Sequence, residues 1–486
     1  MVTGSLVRQI GFRHGVAGIL AAGVLTLVLV GSRDFAGGWN DGSRLAAVES
    51  LIDHHSLAID RSIFLRSDAS DPRPNPYHPD DRLLTAHGTA DKLWIDGHWY
   101  SDKSPVPALL MAGCYQVWQT VLGLKAQEQP RPFCWWMTVC SSGLAFAWAV
   151  WSIAALGQEL RLPSRRRLLL TASFALATVA PVYARHVNNH VLLLGVGAAA
   201  MLDLVRLAKE YALGHSSTLR LIRLGCWLGL AYAIDLGAGP VLLLCAVPVV
   251  VSRCRRWWPL TAFAVSAFSW VGFHHAVNAW IGGTLGPANA QPEYLNWPGS
   301  PFTAHSMTGR WAHDSLLDLV KYSLALLVGK RGFLIHNLPL LLLIPAVVGL
   351  RRYKGRYRPE LLVALGWCVG NWLLYAVASS NYSGACCSIR WFVPLLAPGF
   401  FALALFLKRH PWAESDLTLL SLWGVVLVVI MYPAGPWRAR LVPGYWLIAA
   451  LAIASWLLLA VGRQRQAALS HGRPPLLGNL GKWTVS

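Results

Sequence analysis

Apolar runs long enough to cross a bilayer recur along the chain, separated by short Arg-rich or Gly/Pro-rich breaks. A bilayer core needs about 20 apolar residues per helical span. The pattern predicts a first span over about 15–32, preceded by Arg8 and Arg13, which place the N-terminus on the cytoplasmic side. From Arg165 onward it predicts spans at about 168–184, 191–207, 221–236, 239–252 and 258–280. A further five follow at about 333–350, 359–379, 391–407, 417–434 and 444–461. Their basic ends alternate as the positive-inside rule requires, with Arg463 and Arg465 putting the C-terminus inside. Parity fails only early, because runs 105–124 and 133–156 cannot both span. The first, which opens on two prolines, is expected to be re-entrant or interfacial. The expected fold is a single all-α polytopic domain of about 11–13 transmembrane helices, with a short polar tail at 463–486.

The polar stretches between spans carry the rest of the pattern. Residues 33–104 form a large outer loop holding 12 of the 23 acids, and a loop of that length is usually functional. Within it, Leu45, Val48, Leu51, Ile52 and Leu57 recur at helical spacing, which predicts an amphipathic helix over 41–58 lying on the membrane. Pro72, Pro74, Pro76 and Pro79 make 68–82 extended and exposed. Leu93 to Tyr100 read as two short strands around the Asp96-Gly97 turn, delivering Asp102 and Lys103 to the membrane surface. A second outer loop, 281–332, contains a run at 316–329 with the character of an interfacial helix.

Composition narrows the class. Of 486 residues 55% are hydrophobic and only 13% charged, about half the charge of a soluble domain, which excludes a soluble enzyme and a disordered chain. The net charge of +19 sits in short loops beside spans, at Arg165–Arg167, Arg253, Arg255 and Arg256, and Arg351–Arg358, which orients the protein and excludes a nucleic-acid partner. The nine cysteines lie mostly in apolar runs, and no spacing resembles a zinc site.

Ionisable and polar residues gather at the outer span ends. Asp41, a few residues beyond the first span, suits a base that deprotonates an acceptor hydroxyl at headgroup depth, and equally suits an N-cap. Lys103 is a cation placed to hold a lipid phosphate, or a snorkelling Lys at a helix end. Arg185 to His190, with Asn189 and His190, suits sugar hydroxyls or a metal, and Asp235 sits at another outer span end. Asn381-Tyr382-Ser383-Gly384 precedes Arg390, a forked donor for phosphate. The second outer loop offers Glu293, Tyr294, Asn296, Trp297, His305, Arg310 and Trp311.

With those residues in view, the chain resembles the GT-C superfamily of membrane glycosyltransferases, near the protein O-mannosyltransferase and aminoarabinose-transferase-like families. Asn40-Asp41 stands where that group carries its acidic catalytic motif. Asp102-Lys103-Ser104-Pro105 resembles its Lys-Pro-Pro element, and Arg185–His190 falls at its second outer-loop site. The chain departs from the pattern in two ways: the second site has no acid, and Ser104 replaces the first proline. The resemblance implies a polyprenyl-phosphate-linked sugar donor, an acceptor hydroxyl on a glycan, lipid or protein, inversion at the anomeric carbon and a multi-pass location in the bacterial cytoplasmic membrane with the site facing the exterior. It implies Asp41 as the base, with Lys103 and Arg390 facing the donor phosphate and Asp102, Asn189, His190 and Tyr382 lining the substrates. It leaves a divalent metal open. A flippase or transporter without chemistry is the competing class. It is disfavoured because transporters place polar groups at the midplane, whereas the mid-span positions here are apolar. A glycan polymerase or ligase is a further alternative, but such proteins usually carry their large polar loop later in the chain.

Overall fold

The computed structural model describes residues 17–215, 217–254, 256–303, 307–438 and 442–470. Arg8, Arg13, Arg255, His305 and the tail beyond 470 lie outside them. The first apolar run is helix α1 (Ala17–Leu29). The outer loop contributes α2 (Trp39–Asp53), α3 (Arg82–His87), strands β1 (Lys92–Ile95) and β2 (His98–Ser101), and α4 (Pro105–Leu122) follows. Next come α5 (Pro130–Glu159), α6 (Ser164–Leu176), α7 (Asn189–Ala212), α8 (Thr218–Ile234), α9 (Ala238–Arg253) and α10 (Trp257–Gly282). The C-terminal part holds α11 (Leu316–Val328), α12 (Leu343–Leu350), α13 (Arg358–Val377), α14 (Leu396–Arg409), α15 (Ala413–Arg438) and α16 (Tyr445–Ser470).

Among the described residues seven helices are long and apolar enough to cross a membrane, eight if a bent pair counts as one span, and two shorter apolar helices accompany them. α14 is buried continuously from Leu396 to Leu407, and α7 is nearly so. These two form the centre of the bundle. α10 and α16 are only 22% and 17% buried, so their apolar faces meet lipid. α8 lies tightly on α10 because Gly225 and Gly229 bring the backbones together. A Cβ at Gly229 would stand 2.3 Å from the Ala267 carbonyl oxygen. Gly229→Val is therefore expected to lower the thermal midpoint, costing about 1–3 kcal/mol as overpacking does, which thermal unfolding in detergent would read out.

The described helices long and apolar enough to span are fewer than the 11–13 expected, and two further sequence expectations need correction. The run 333–350 is not one straight span. It breaks at Asn337, whose side chain accepts the Val179 amide (2.9 Å) and donates to the Phe333 carbonyl (2.7 Å), and the preceding segment Leu316–His336 is bent 109° from Leu338–Leu350. And α2 does not lie on the membrane: residues 40–50 are all buried. Segment 58–66 and the proline-rich stretch fold over its polar side. Glu49 accepts Ser62 Oγ (2.5 Å) and the Ile63 amide (3.1 Å), while the Tyr77 hydroxyl, packed on Gly42, donates to the Phe64 carbonyl (2.7 Å). α4 covers the other side, its Tyr115 hydroxyl donating to Asp53 (2.8 Å). The proline-rich stretch is non-helical, as expected, but tied down rather than freely exposed. Arg66 donates to the carbonyls of Thr85, Arg73 and Asp71, and Arg73 pairs with Asp71 at 2.6 Å.

The outer loop thus has its own core, built on Leu45, Val48, Phe64, Tyr77, Tyr115 and Phe133. α4, the run with the parity problem, is one unbroken helix in that core and is not among those apolar enough to span. Burial pushes the Glu49 carboxyl up to about 7. A folded-state value above the unfolded one means stability is full below about 4.5 and is lost as pH rises through 7. The cost of the ionised form is on the order of 3 kcal/mol. Glu49→Gln should raise the thermal midpoint at pH 8 and leave it little changed at pH 4.5, measured on the same preparation.

The hairpin matches expectation. Ile95 faces His98 across a two-residue turn in which Asp96 (φ 48°) and Gly97 (φ 84°) are both left-handed, the geometry an Asp-Gly pair favours.

Candidate active site

The hairpin, α2, the starts of α4, α7 and α9, the C-terminal ends of α8, α10 and α13, and the segment before α14 surround a cavity of about 460 Å³. Its charged residues are Arg44, Asp91, Asp102, Lys103, Asp235 and Arg390. Asn189, His274, Asn278 and Tyr375 add neutral polar groups to the wall.

Lys103 is delivered by the end of β2, immediately before Pro105 starts α4. Its ammonium lies 2.6 Å from both Asp91 and Asp102. An ammonium has three hydrogens, so one remains for a ligand. The two carboxylates share one cation and titrate as a pair. The Lys103 charge holds Asp91 below the usual carboxylate range against its burial, while burial and the neighbouring Asp91 charge push Asp102 above it. Asp102 also accepts from Ser43 Oγ (3.2 Å), which fixes its orientation.

A polar chain runs from α2 across the bundle. Arg44 donates to the Asn40 carbonyl and to Asn189 Oδ1, both at 2.7 Å. Asn189 passes a hydrogen bond to Asp235 Oδ2 (3.1 Å), and His190 Nδ1 lies 3.1 Å from the same oxygen. The other oxygen of Asp235 accepts the Gly237 and Ala238 amides, capping α9. Burial lowers the Arg44 guanidinium only to about 10, so it stays charged.

Like Arg44, Arg390 makes no ion pair among the described residues and has a buried Nε without a hydrogen-bond partner, but unlike Arg44 its terminal nitrogens donate no hydrogen bond there, and its guanidinium stands 5.8 Å from the Trp437 ring. The loop before it runs through three consecutive left-handed residues, Tyr382 (φ 51°), Ser383 (φ 61°) and Gly384 (φ 82°). Such conformations persist only where the surroundings over-determine them. Here Ser383 Oγ accepts the Arg390 amide (3.0 Å), the Tyr382 amide donates to the Tyr322 hydroxyl (3.3 Å), and the Cys387 amide donates to the Pro436 carbonyl (2.8 Å).

Of the residues singled out from sequence, Lys103, Asp102, Asn189, Asp235, Asn381 and Arg390 meet at the cavity. Asp41 does not reach it. It is 1% exposed, with Oδ2 accepting the Gly37 amide (2.7 Å) and lying 3.1 Å from His186 Nδ1, so the 185–190 turn draws it away from the lining. His190 lies beside Asp235 and Tyr382 packs on Tyr322 (4.8 Å), neither of them lining the cavity. In the second outer loop Leu295, Phe302, Met307 and Thr308 line the cavity rather than the expected polar residues. Sequence reasoning left Arg44, Asp91 and His274 out of the site. Arg44 carried one usable signal, a charge inside an apolar-periodic helix, while Asp91 sits in no recognisable motif. No three His, Cys, Asp or Glu side chains among the described residues converge as a metal-binding group, and the Lys103 ammonium already fills the space between Asp91 and Asp102. Between Asp91 and Asp102 the ammonium leaves no place for a divalent ion.

No protein-family model and no curated protein matches the sequence. Among solved structures, the chain is similar to ArnT from Cupriavidus metallidurans bound to undecaprenyl phosphate, with TM-score 0.50 and 15% identity over 92% of this chain and 76% of that one. The apo form of the same protein gives a TM-score of 0.48 at the same identity and coverage. The oligosaccharyltransferase of Archaeoglobus fulgidus gives 0.43 at 13% identity, over 90% of this chain and 56% of that one. The last two are too distant to bear on the argument. The first shows the fold: the chain shares the helical architecture of that protein, with seven described helices long and apolar enough to cross a membrane.

Proposed function

We propose that this protein is a glycosyltransferase that moves a sugar from a polyprenyl-phosphate carrier to an acceptor hydroxyl, working in the cavity at the outer face of a bacterial cytoplasmic membrane. One observation carries the reading: an unspent guanidinium on Arg390 and an unspent hydrogen on Lys103 open into the same cavity as the raised carboxyl of Asp102. A lipid phosphate needs such cations, and the solved structure of like fold holds undecaprenyl phosphate.

In the reaction the acceptor oxygen bonds to the anomeric carbon as its bond to the phosphate oxygen breaks. The electron pair leaves on polyprenyl phosphate, where Arg390 and Lys103 stabilise the developing charge. The hydroxyl proton passes to Asp102. Attack opposite the leaving phosphate inverts the centre.

The test reconstitutes the protein in liposomes with a radiolabelled polyprenyl-phosphate-sugar pool and a membrane-extract acceptor. Label appearing in acceptor is the expected outcome. Label crossing the bilayer without transfer would replace the reading with a flippase.

A further inference from the structure

The hairpin is amphipathic in an unusual sense, because both its faces are in use. Leu93 and Ile95 point inward, buried against Ala288, Ile281 and Leu295. Strand alternation puts Lys92 and Trp94 on the opposite face, and the register sets Trp99 and Ser101 beside them. Trp94 is 41% exposed. Its ring centre lies 4.6 Å from Trp99, which lies 5.2 Å from Trp297 of the second outer loop. The Lys92 ammonium, 4.3 Å from Trp99 and 4.9 Å from Trp297, sits on both rings. Asp60 edges the patch, accepting the Trp99 amide (3.0 Å) and lying 3.2 Å from His98, and Asp96 is exposed at the turn. At the other end of this face Ser101 lines the cavity, 2.7 Å from Ser43 Oγ.

We propose that this outer hairpin face is a carbohydrate-binding platform that feeds a glycan acceptor into the cavity past Ser101. The inference rests on the transferase reading above and names its acceptor class. Indole faces bind the C–H faces of pyranose rings, and carboxylates at their edge accept hydroxyl hydrogens, so Trp94, Asp60 and Asp96 supply both halves of sugar recognition. A peptide docking as an added strand beside β2 would need backbone groups already spent, since Trp99 gives its amide to Asp60 and its carbonyl to the Ile59 amide.

The test is binding without donor. Full-length protein in nanodiscs is applied to an array of immobilised neutral and acidic oligosaccharides, alongside Trp94→Ala and the control Trp280→Ala, whose indole on α10 is 84% exposed. The platform predicts retention on at least one oligosaccharide class, weakened about tenfold or more by Trp94→Ala and unchanged by Trp280→Ala. No retention of wild type, or equal retention of Trp94→Ala, overturns it. So does recovery only on immobilised peptides. Polyprenyl phosphate binding is measured on the same nanodiscs: if it persists where glycan binding is absent, the platform fails and the transferase reading stands, whereas its absence counts against that reading instead.

Discussion

Lys103→Met is expected to reduce transfer by about 10³-fold, because it removes a phosphate ligand and leaves two buried carboxylates without their shared cation. Asp91 and Asp102 each lie 2.6 Å from the ammonium, and with it gone one of them must take up a proton near neutral pH. Misfolding is the obvious confounder, so the double variant Lys103→Met, Asp91→Asn is the companion. It restores charge balance and is expected to recover folding, read by size-exclusion behaviour and thermal midpoint, without recovering transfer. Full activity in the double variant would mean that Lys103 serves only to neutralise the pair.

Asp102→Asn is the second large effect. Removing the proton acceptor while keeping a group of the same shape beside Ser43 and Lys103 should lower kcat by about 10²–10⁴-fold and leave donor binding largely intact. Because burial holds Asp102 above the usual carboxylate range, the acid limb of the wild-type pH profile should lie above the ordinary carboxylate value. Activity is lost as pH falls through that limb. Asp41→Asn is expected to behave differently: Asp41 lies outside the cavity lining and its Oδ2 accepts the Gly37 amide beside His186, so the effect should fall on the thermal midpoint rather than on kcat.

The contrast between these two aspartates marks how far the sequence could be read. Membrane helices were legible because apolar runs flanked by arginines leave few options, and 258–280 and 359–379 return almost unchanged as α10 and α13. The hairpin was legible because Asp96-Gly97 satisfies a turn that demands two left-handed residues. The break at Asn337 was not, since it depends on the Val179 amide 158 positions away in the chain. Nor was the burial of α2, whose polar side is covered by a loop that local periodicity cannot position.

At the site, Lys103 and Arg390 could be picked out because a cation at an outer span end is conspicuous. Asp91 could not: it is one acid among 12 in the outer loop, and only the hairpin's register brings it to Lys103. Asp41 was picked for its place after the first span. Whether such a carboxylate meets a cavity or a histidine behind it is set by the 185–190 turn, which primary structure does not locate.

In the proposed reaction Asp102, not Asp41, takes the acceptor proton in a cavity whose Arg390 and Lys103 hold the donor phosphate. The most direct measurement compares single-turnover transfer from a radiolabelled polyprenyl-phosphate sugar by wild type, Asp102→Asn and Asp41→Asn, each first shown to bind unlabelled polyprenyl phosphate. The account predicts collapse of transfer in Asp102→Asn with Asp41→Asn close to wild type. Collapse in Asp41→Asn with Asp102→Asn active would contradict it and return the base to the position after the first span.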